Sequence, residues 1–439
     1  MSETYDVVVV GGGPAGSTVA GLLAKEGRSV LLLERERFPR YHIGESLVTG
    51  MIPVMEELGV AQELERFRRK SGITLVWGQD PLPWRTDFSQ TGGKYEYSWH
   101  VKRSEFDELL LNNARRLGVQ VVEEASVSDV ITDDAGTVTG VTYTHEGRQR
   151  RVHSTFVVDA SGQKRTITRK LTRVTWQEDL RNVAIWGYFS DFRPLEEAPD
   201  DILVEAIEGG GWIWGIPLSD TELSLGYVLP VDQLTEALRQ DRTQQEVFAE
   251  GLASSRVAKT MVDPAGIGDL RATRDWSHVS DRFYGPGWVA VGDTAAFVDP
   301  LFSSGVWLGT SGAWLAARAI DAALMDPTKQ EQALERFDGV YRQLFHDILA
   351  YVRYFMDPTR LREEYMERAQ QIGKVYAENS RVGFITLISG INALPDLVSF
   401  DPMGMEELQR IVQERSEVAA AKATARAEET AATVWPRAS

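Results

Sequence analysis

"YDVVVVGGGPAGSTVAGLLAKEGRSVLLLE", residues 5–34, decides the fold. Its first six residues are a short run rich in β-branched side chains, the mark of a buried strand. Three glycines and a proline follow, then an apolar helical pattern to about Gly27, then "RSVLLLE", a second strand. Strand, turn, helix and strand make a βαβ start and predict a parallel sheet. Gly11, Gly13 and Gly16 hold the spacing G-x-G-x-x-G at the turn. The first allows the tight turn, the second lets backbone approach a pyrophosphate, and the third lets helix pack on strand. Ala15 lies at the helix start, whose free N–H groups favour phosphate. Glu34 ends the second strand, where an acidic side chain binds ribose hydroxyls. A glycine-rich turn without ligand is the plain alternative; strand, helix and Glu34 together favour a dinucleotide.

The bulk numbers bound the class. The chain has 439 residues, 43% of them hydrophobic, enough for two or three domains or one elaborated α/β enzyme. The net charge of −17 repels phosphate backbones, so no nucleic-acid partner is expected. No apolar run has the length of a membrane span. A strand begins within a few residues of Met1, so no signal peptide and a cytoplasmic location are expected. The absence of cysteine excludes disulfides, iron–sulfur clusters and thiolate nucleophiles. The six histidines show no metal-ligand spacing, so no metal is expected.

Further along, "SEFDELLLNNARRLG" (104–118) reads as an amphipathic helix capped by Ser104. Residues 119–162 read as short strands turned at "DDAG" and "HEGR", and 181–230 as further strands. From Gln330 the pattern is helical, with Tyr341, Leu344, Phe345, Ile348, Val352 and Phe355 at helical spacing. The Ala-rich tail, 416–434, reads as a charged helix or a frayed end.

Four motifs, in order, carry a resemblance. "GWVAVGDTAAFVDPLFSSGVWLGT" (287–310) delivers Gly292 and Asp293 from a strand, then Asp299-Pro300, a small-residue loop and a helix. With the glycine turn, "HVKRSEFDELL" (100–110) and "VVDASG" (157–162), it resembles the FAD-dependent aromatic hydroxylase superfamily. The resemblance implies FAD, held by Gly11, Gly13, Ala15, Gly16, Glu34, Arg40, Ser46, Arg103, Asp293, Pro300 and Val306. It also implies an α/β fold: a Rossmann-like FAD-binding domain of the GR2/aromatic hydroxylase type with an inserted antiparallel β-sheet domain on the substrate side. The expected division is 1–80, 101–180 and 270–330 for FAD, 81–100 and 181–269 for the inserted sheet, and 331–439 for a C-terminal helical region.

"EGGGWIWGIPLSD" (208–220) narrows the chemistry. On a strand Trp212 and Trp214 share a face, and W-x-W-x-I-P resembles the fingerprint of flavin-dependent halogenases. Core packing explains any tryptophan pair as well, and geranylgeranyl-reductase-like flavoproteins carry a related pattern. Gly44-Glu45-Ser46, after the arginine-bearing loop, is common to both groups. "RRKSGITLVWG" (68–78) resembles the segment of phenol and pyrrolyl-carrier-protein halogenases with an essential lysine, here Lys70; a solvated basic turn is the ordinary reading. "FSSGV" (302–306) resembles the halogenase loop that binds chloride, assigning Ser304 and Gly305 to the halide. A nest of N–H groups at a helix start suits a small anion. Trp307 stands where a smaller or polar residue is expected.

The resemblance implies that FADH2, O2 and chloride or bromide yield hypohalous acid, which passes the Trp212/Trp214 wall to Lys70 and halogenates an electron-rich ring. It implies a separate flavin reductase and a small aromatic substrate, free or tethered to an acyl or peptidyl carrier protein. Helix 341–355 is the expected far wall of the pocket. The rival readings are an FAD-dependent aromatic hydroxylase, a geranylgeranyl-reductase-like flavoprotein and a flavin-binding protein without activity.

Overall fold

The computed structural model describes residues 4–80, 82–373 and 379–403, with Asp275 and Trp276 described in backbone alone. Strand Thr4–Val10 lies between Arg148–Asp159 and Val30–Leu33, parallel to both. Trp288–Ala290 and Gln120–Val122 extend this sheet on its two sides, also parallel. A meander, Ser126–Thr132 and Val138–His145, leads antiparallel into Arg148–Asp159. Val7, Val8, Val9 and Val10 are buried, as a central parallel strand covered on both faces requires.

Helix Pro14–Lys25 leaves the first strand with Pro14 in its opening turn. A Cβ on Gly16 would lie 1.9 Å from the Gly11 carbonyl oxygen, so the third glycine is what lets helix and turn touch. Gly11 itself has φ +105°, open to glycine and costly for other residues. The next long helix runs Arg103–Arg116 and is capped by Lys102, not Ser104 as expected. The Lys102 carbonyl already accepts the N–H groups of Glu105 and Phe106, so the first turn closes before Ser104.

The second sheet runs Ala296–Phe297, Arg271–Ser280, Val174–Ser190, Glu222–Pro230, Trp212–Pro217, Ile202–Ala206, Gly72–Val76 and Trp84–Asp87. Gly72–Val76, the start of Val174–Ser190 and all of Arg271–Ser280 thus pair in this sheet, whereas the expected boundaries assigned them to the FAD side. Nor is the sheet wholly antiparallel: Ile202–Ala206 pairs parallel with Gly72–Val76. Gly72–Val76 is buried at every position, and an interior parallel pair satisfies such a strand on both faces.

Side chains of Trp212–Pro217 alternate. Trp212, Trp214 and Ile216 join the main core, while Ile213 faces a second cluster with Phe248 and Leu252. Helix Gly305–Met325 packs between Pro14–Lys25 and Gln330–Phe355. Arg362–Gly373, Ser380–Ile388 and Leu394–Val398 follow. The Ala-rich tail at 416–434 lies outside the described residues. No single helix among the described residues is long and apolar enough to cross a membrane. The pair Ser380–Ile388 and Ile391–Val398 is bent by 83°, and Phe384, Ile385, Leu387 and Ile388 are buried inside the protein.

Candidate active site

A cavity of about 880 Å³ runs from the glycine turn to the start of helix Gly305–Met325. Gly11, Gly13, Ala15, Glu34, Arg40, Ser46 and Arg103 line it from the N-terminal side. Asp293, Pro300, Gly305 and Val306 line it from the other, with Trp212 and Trp214. Gly16 stands behind the turn, and Ser303 faces the cavity where Ser304 was expected. The cavity is lined by two glycine-bearing helix starts, at Gly13-Pro14 and at Gly305, which fits a dinucleotide as large as FAD.

The polar groups along it are already organised. Glu34 accepts the N–H of Gly12 at 2.6 Å and of Glu36 at 2.8 Å, leaving spare lone pairs towards the cavity. Arg103 grips Asp107 with two hydrogen bonds, 2.7 and 3.0 Å, and donates to the Ile43 carbonyl at 2.7 Å. Arg40 shares Asp107 at 3.1 Å. Asp107, which the sequence did not single out, therefore anchors both arginines and the loop 40–46. Asp293 faces the cavity, and burial holds its carboxyl up at about 6 despite the pull of Arg103.

The loop before the long helix is shaped by Asp299. Its carboxylate accepts from Asn182 at 2.7 Å and from the Leu301 N–H at 3.2 Å, and burial raises it to about 6. Ser303 turns the chain in the left-handed region, φ +58°, and Ser304 then precedes helix Gly305–Met325. The Ser304 hydroxyl is buried without a partner, and nothing lies within 4 Å of the place of a Cβ on Gly305. N–H groups of a first helical turn have no partner inside the helix. Trp307 does not line the cavity; its indole fills the gap between Gly50 and Gly390.

The two tryptophans form a wall. Their rings lie 6.0 Å apart, and Trp186 continues the row 6.5 Å from Trp214. Trp214 donates to Ser224 at 3.2 Å. Its cross-strand neighbour is Gly226, where a Cβ would meet the indole at 2.2 Å, so the ring lies across the sheet only because that partner is glycine. Helix residues 341–355, expected as the far wall of the substrate pocket, do not line this flavin cavity. Phe355 packs instead with Phe302, Trp77, Tyr365 and Phe384 in an aromatic core.

Lys70 is set apart from the cavity and has no exposed surface. It ends strand Arg68–Lys70, which pairs antiparallel with Ser98–His100. Its Nζ has no hydrogen-bond partner and stands 5.5 Å from the Phe88 ring centre. Burial pushes the amine down to about 7, against the opposing pull of Asp201. Asp201, also absent from the sequence reading, precedes strand Ile202–Ala206. It accepts from Thr74 at 3.0 Å and from Arg85 at 2.8 and 3.1 Å. Only the pairing of distant strands brings Asp201 near Lys70.

Comparison with known proteins shows the family. The tryptophan halogenase family profile matches residues 89–375, and the FAD-dependent oxidoreductase profile matches 6–164. A tryptophan 2-halogenase of Chondromyces crocatus is 35% identical over 410 residues, covering 90% of this chain and 77% of the relative. The flavin-dependent halogenase armH4 of Armillaria mellea is 34% identical, covering 80% and 70%. The solved structure of the myxobacterial chondrochloren halogenase CndH superposes with a TM-score of 0.77 at 34% identity, covering 92% and 94%. The flavin-dependent brominase Bmp2 gives 0.71 at 25% identity, covering 94% and 99%.

Proposed function

The chain belongs to the flavin-dependent halogenases, its cofactor is FAD and its co-substrate a halide, and from that premise we propose that it halogenates a small electron-rich aromatic ring through Lys70. The substrate is a phenol or a pyrrole, the latter free or on a carrier-protein arm, and a separate reductase supplies FADH2. The observation that carries this reading is a fully buried lysine amine with no hydrogen-bond partner. Leaving such a group bare costs roughly 1–3 kcal/mol or more, which a purely structural residue has no reason to maintain.

Bound FADH2 supplies, with O2 and halide, hypohalous acid. The residues of the chain do the rest. Gly11, Gly13 and Ala15, with Gly16 behind them, would hold the pyrophosphate at a helix start, and Glu34 would hold the ribose. Arg40, Ser46, Arg103, Asp293, Pro300 and Val306, which line the same cavity, would hold the remaining length of the cofactor. Ser304 and Gly305 would hold the halide by the backbone N–H groups of the helix start. Trp212 and Trp214 keep the ring to be halogenated off the flavin, so that oxygen is not inserted directly.

Lys70 is suited to take up the oxidant. With its amine near 7, a large share is unprotonated at neutral pH, and an unprotonated amine is a nucleophile. Its nitrogen forms an N–halogen bond with hypohalous acid as the O–halogen bond breaks, releasing water. The ring carbon then takes the halogen, and the ring proton returns to nitrogen. The similarity to a tryptophan 2-halogenase adds indoles to the rings to be tested.

The test is mass spectrometry after incubating holoenzyme, FADH2 and O2 with phenols, indoles and pyrrolyl-loaded carrier protein, with chloride, with bromide and without halide. Products with the halogen isotope pattern are expected. Hydroxylated products formed equally well without halide would establish the monooxygenase reading instead.

A further inference from the structure

The residues between the flavin cavity and Lys70 share one face of a small sheet. Ser98–His100 lies between two partners: Arg68–Lys70 on one side and residue Ser46 on the other. Lys70 is opposite Ser98, while His100 is opposite both Arg68 and Ser46. Cross-strand partners and alternate residues share a face, so Ser46, His100, Ser98, Arg68 and Lys70 point the same way. Arg69, Trp99 and Tyr97 belong to the other face, where the Arg69 guanidinium lies over the Tyr97 ring at 4.2 Å.

Five buried polar atoms on the inner face lack a partner: Ser46 Oγ, His100 Nδ1, Ser98 Oγ, Lys70 Nζ and Arg68 Nε, the last on a guanidinium whose other nitrogens are engaged. Ser46 lines the flavin cavity, so the row starts there and ends at the amine. His100 stands between them, diagonal to Lys70, a spacing of about 7–8 Å between such positions. Its Nε2 lies 3.0 Å from the Asp200 carbonyl oxygen, which can only accept. Nε2 therefore carries the hydrogen, and Nδ1 of the neutral ring is a bare acceptor. Burial and the nearby Lys70 charge hold the imidazole well below its ordinary pKa, so it stays an acceptor. Arg68, the other cation of this face, is occupied by Asp200 at 2.8 Å and Asp220 at 2.7 Å.

On the reading that Lys70 takes up hypohalous acid, we propose that His100 is the steering residue: its Nδ1 accepts the O–H of the oxidant leaving the flavin cavity and directs the halogen towards Lys70. Ser46 and Ser98 are the hydroxyls before and after it. The ligand is a small neutral O–H donor, in keeping with atoms so completely enclosed. No bond is made or broken at His100.

Two substitutions separate this role from a structural one. Asn at position 100 keeps an acceptor near the place of Nδ1 and loses the bond to Asp200; Gln keeps a donor near the place of Nε2 and loses the acceptor. Holoenzyme, FADH2, O2, bromide and a brominated substrate of the wild type are combined with a soluble hypobromite trap, and ring product is measured against trapped oxidant. For His100→Gln the ratio should fall by at least about tenfold. For His100→Asn it should stay within about threefold of wild type. A wild-type ratio in His100→Gln, or an equal fall in both, would overturn the assignment. Should the Gln variant fail to retain FAD, the Asn variant decides alone: an unchanged ratio upholds the role and a fallen one overturns it. A wild type that yields neither ring product nor trapped oxidant would sink the parent reading instead.

Discussion

Along the flavin cavity three carboxylates are engaged. Glu34 takes two backbone N–H groups, Asp107 serves two arginines, and Asp299 is held by Asn182 and the Leu301 N–H. Along the inner face beside Lys70 the opposite holds: an amine, an imidazole nitrogen and two hydroxyls are buried and bare. The cavity has a preformed shape for a large ligand whose binding replaces solvent. The face beside Lys70 keeps its polar atoms unsatisfied, each at a cost of roughly 1–3 kcal/mol in stability. On the proposed reading, the first region holds a molecule at rest and the second engages a small one in passage.

The sharpest break in this contrast is Lys70→Ala. Ring halogenation should drop by at least about a thousandfold while FAD titration gives an unchanged affinity, because the two regions share no side chain at this position. Loss of FAD binding in that variant would show the regions to be one.

Next in size is the tryptophan wall of the cavity. Trp212→Ala or Trp214→Ala should lower ring halogenation by about ten- to a hundredfold and raise escaping oxidant or oxygenated product, measured against a trap. The rate of the intact enzyme should also climb through about pH 7 and level off above it, since an amine depressed to about 7 becomes nucleophilic there. A rate that falls through that range would mean the ammonium is the working form.

Stability should move the other way from activity. Lys70→Met should abolish halogenation yet raise stability by about 1–4 kcal/mol at pH 6 in denaturant titration. The sign follows from linkage. The folded amine titrates near 7 and the unfolded one near 10.5, so between these values the unfolded chain binds more protons. Wild-type stability therefore rises with pH across that window, and the advantage of Met should shrink as pH approaches 10.5. The smallest change expected is Gly226→Ala, where a methyl meeting the Trp214 indole should cost about 1–3 kcal/mol and tilt the wall.

Residues contiguous in sequence were legible. The glycine spacing, Glu34 and the Trp212/Trp214 pair state their local geometry outright, because strand and helix periods fix which side chains meet. The segment singled out Lys70, but nothing in it announced that the side chain is fully buried. Asp107, Asp201 and His100 were not legible, since each gains meaning from a partner on another element: Arg40, Lys70 and the bridge to Ser46. The strand Gly72–Val76 was misplaced for the same reason, as an apolar run does not say which sheet it joins. Helix 341–355 has a regular apolar stripe, and that stripe serves the core.

The central claim, that the halogen passes from the flavin cavity to one amine, is tested most directly by a single turnover without aromatic substrate, followed by peptide mapping of the wild-type enzyme. The account predicts one halogen replacing one hydrogen on Lys70, chlorine or bromine according to the salt supplied. Free oxidant in solution with an unmodified Lys70 would contradict it.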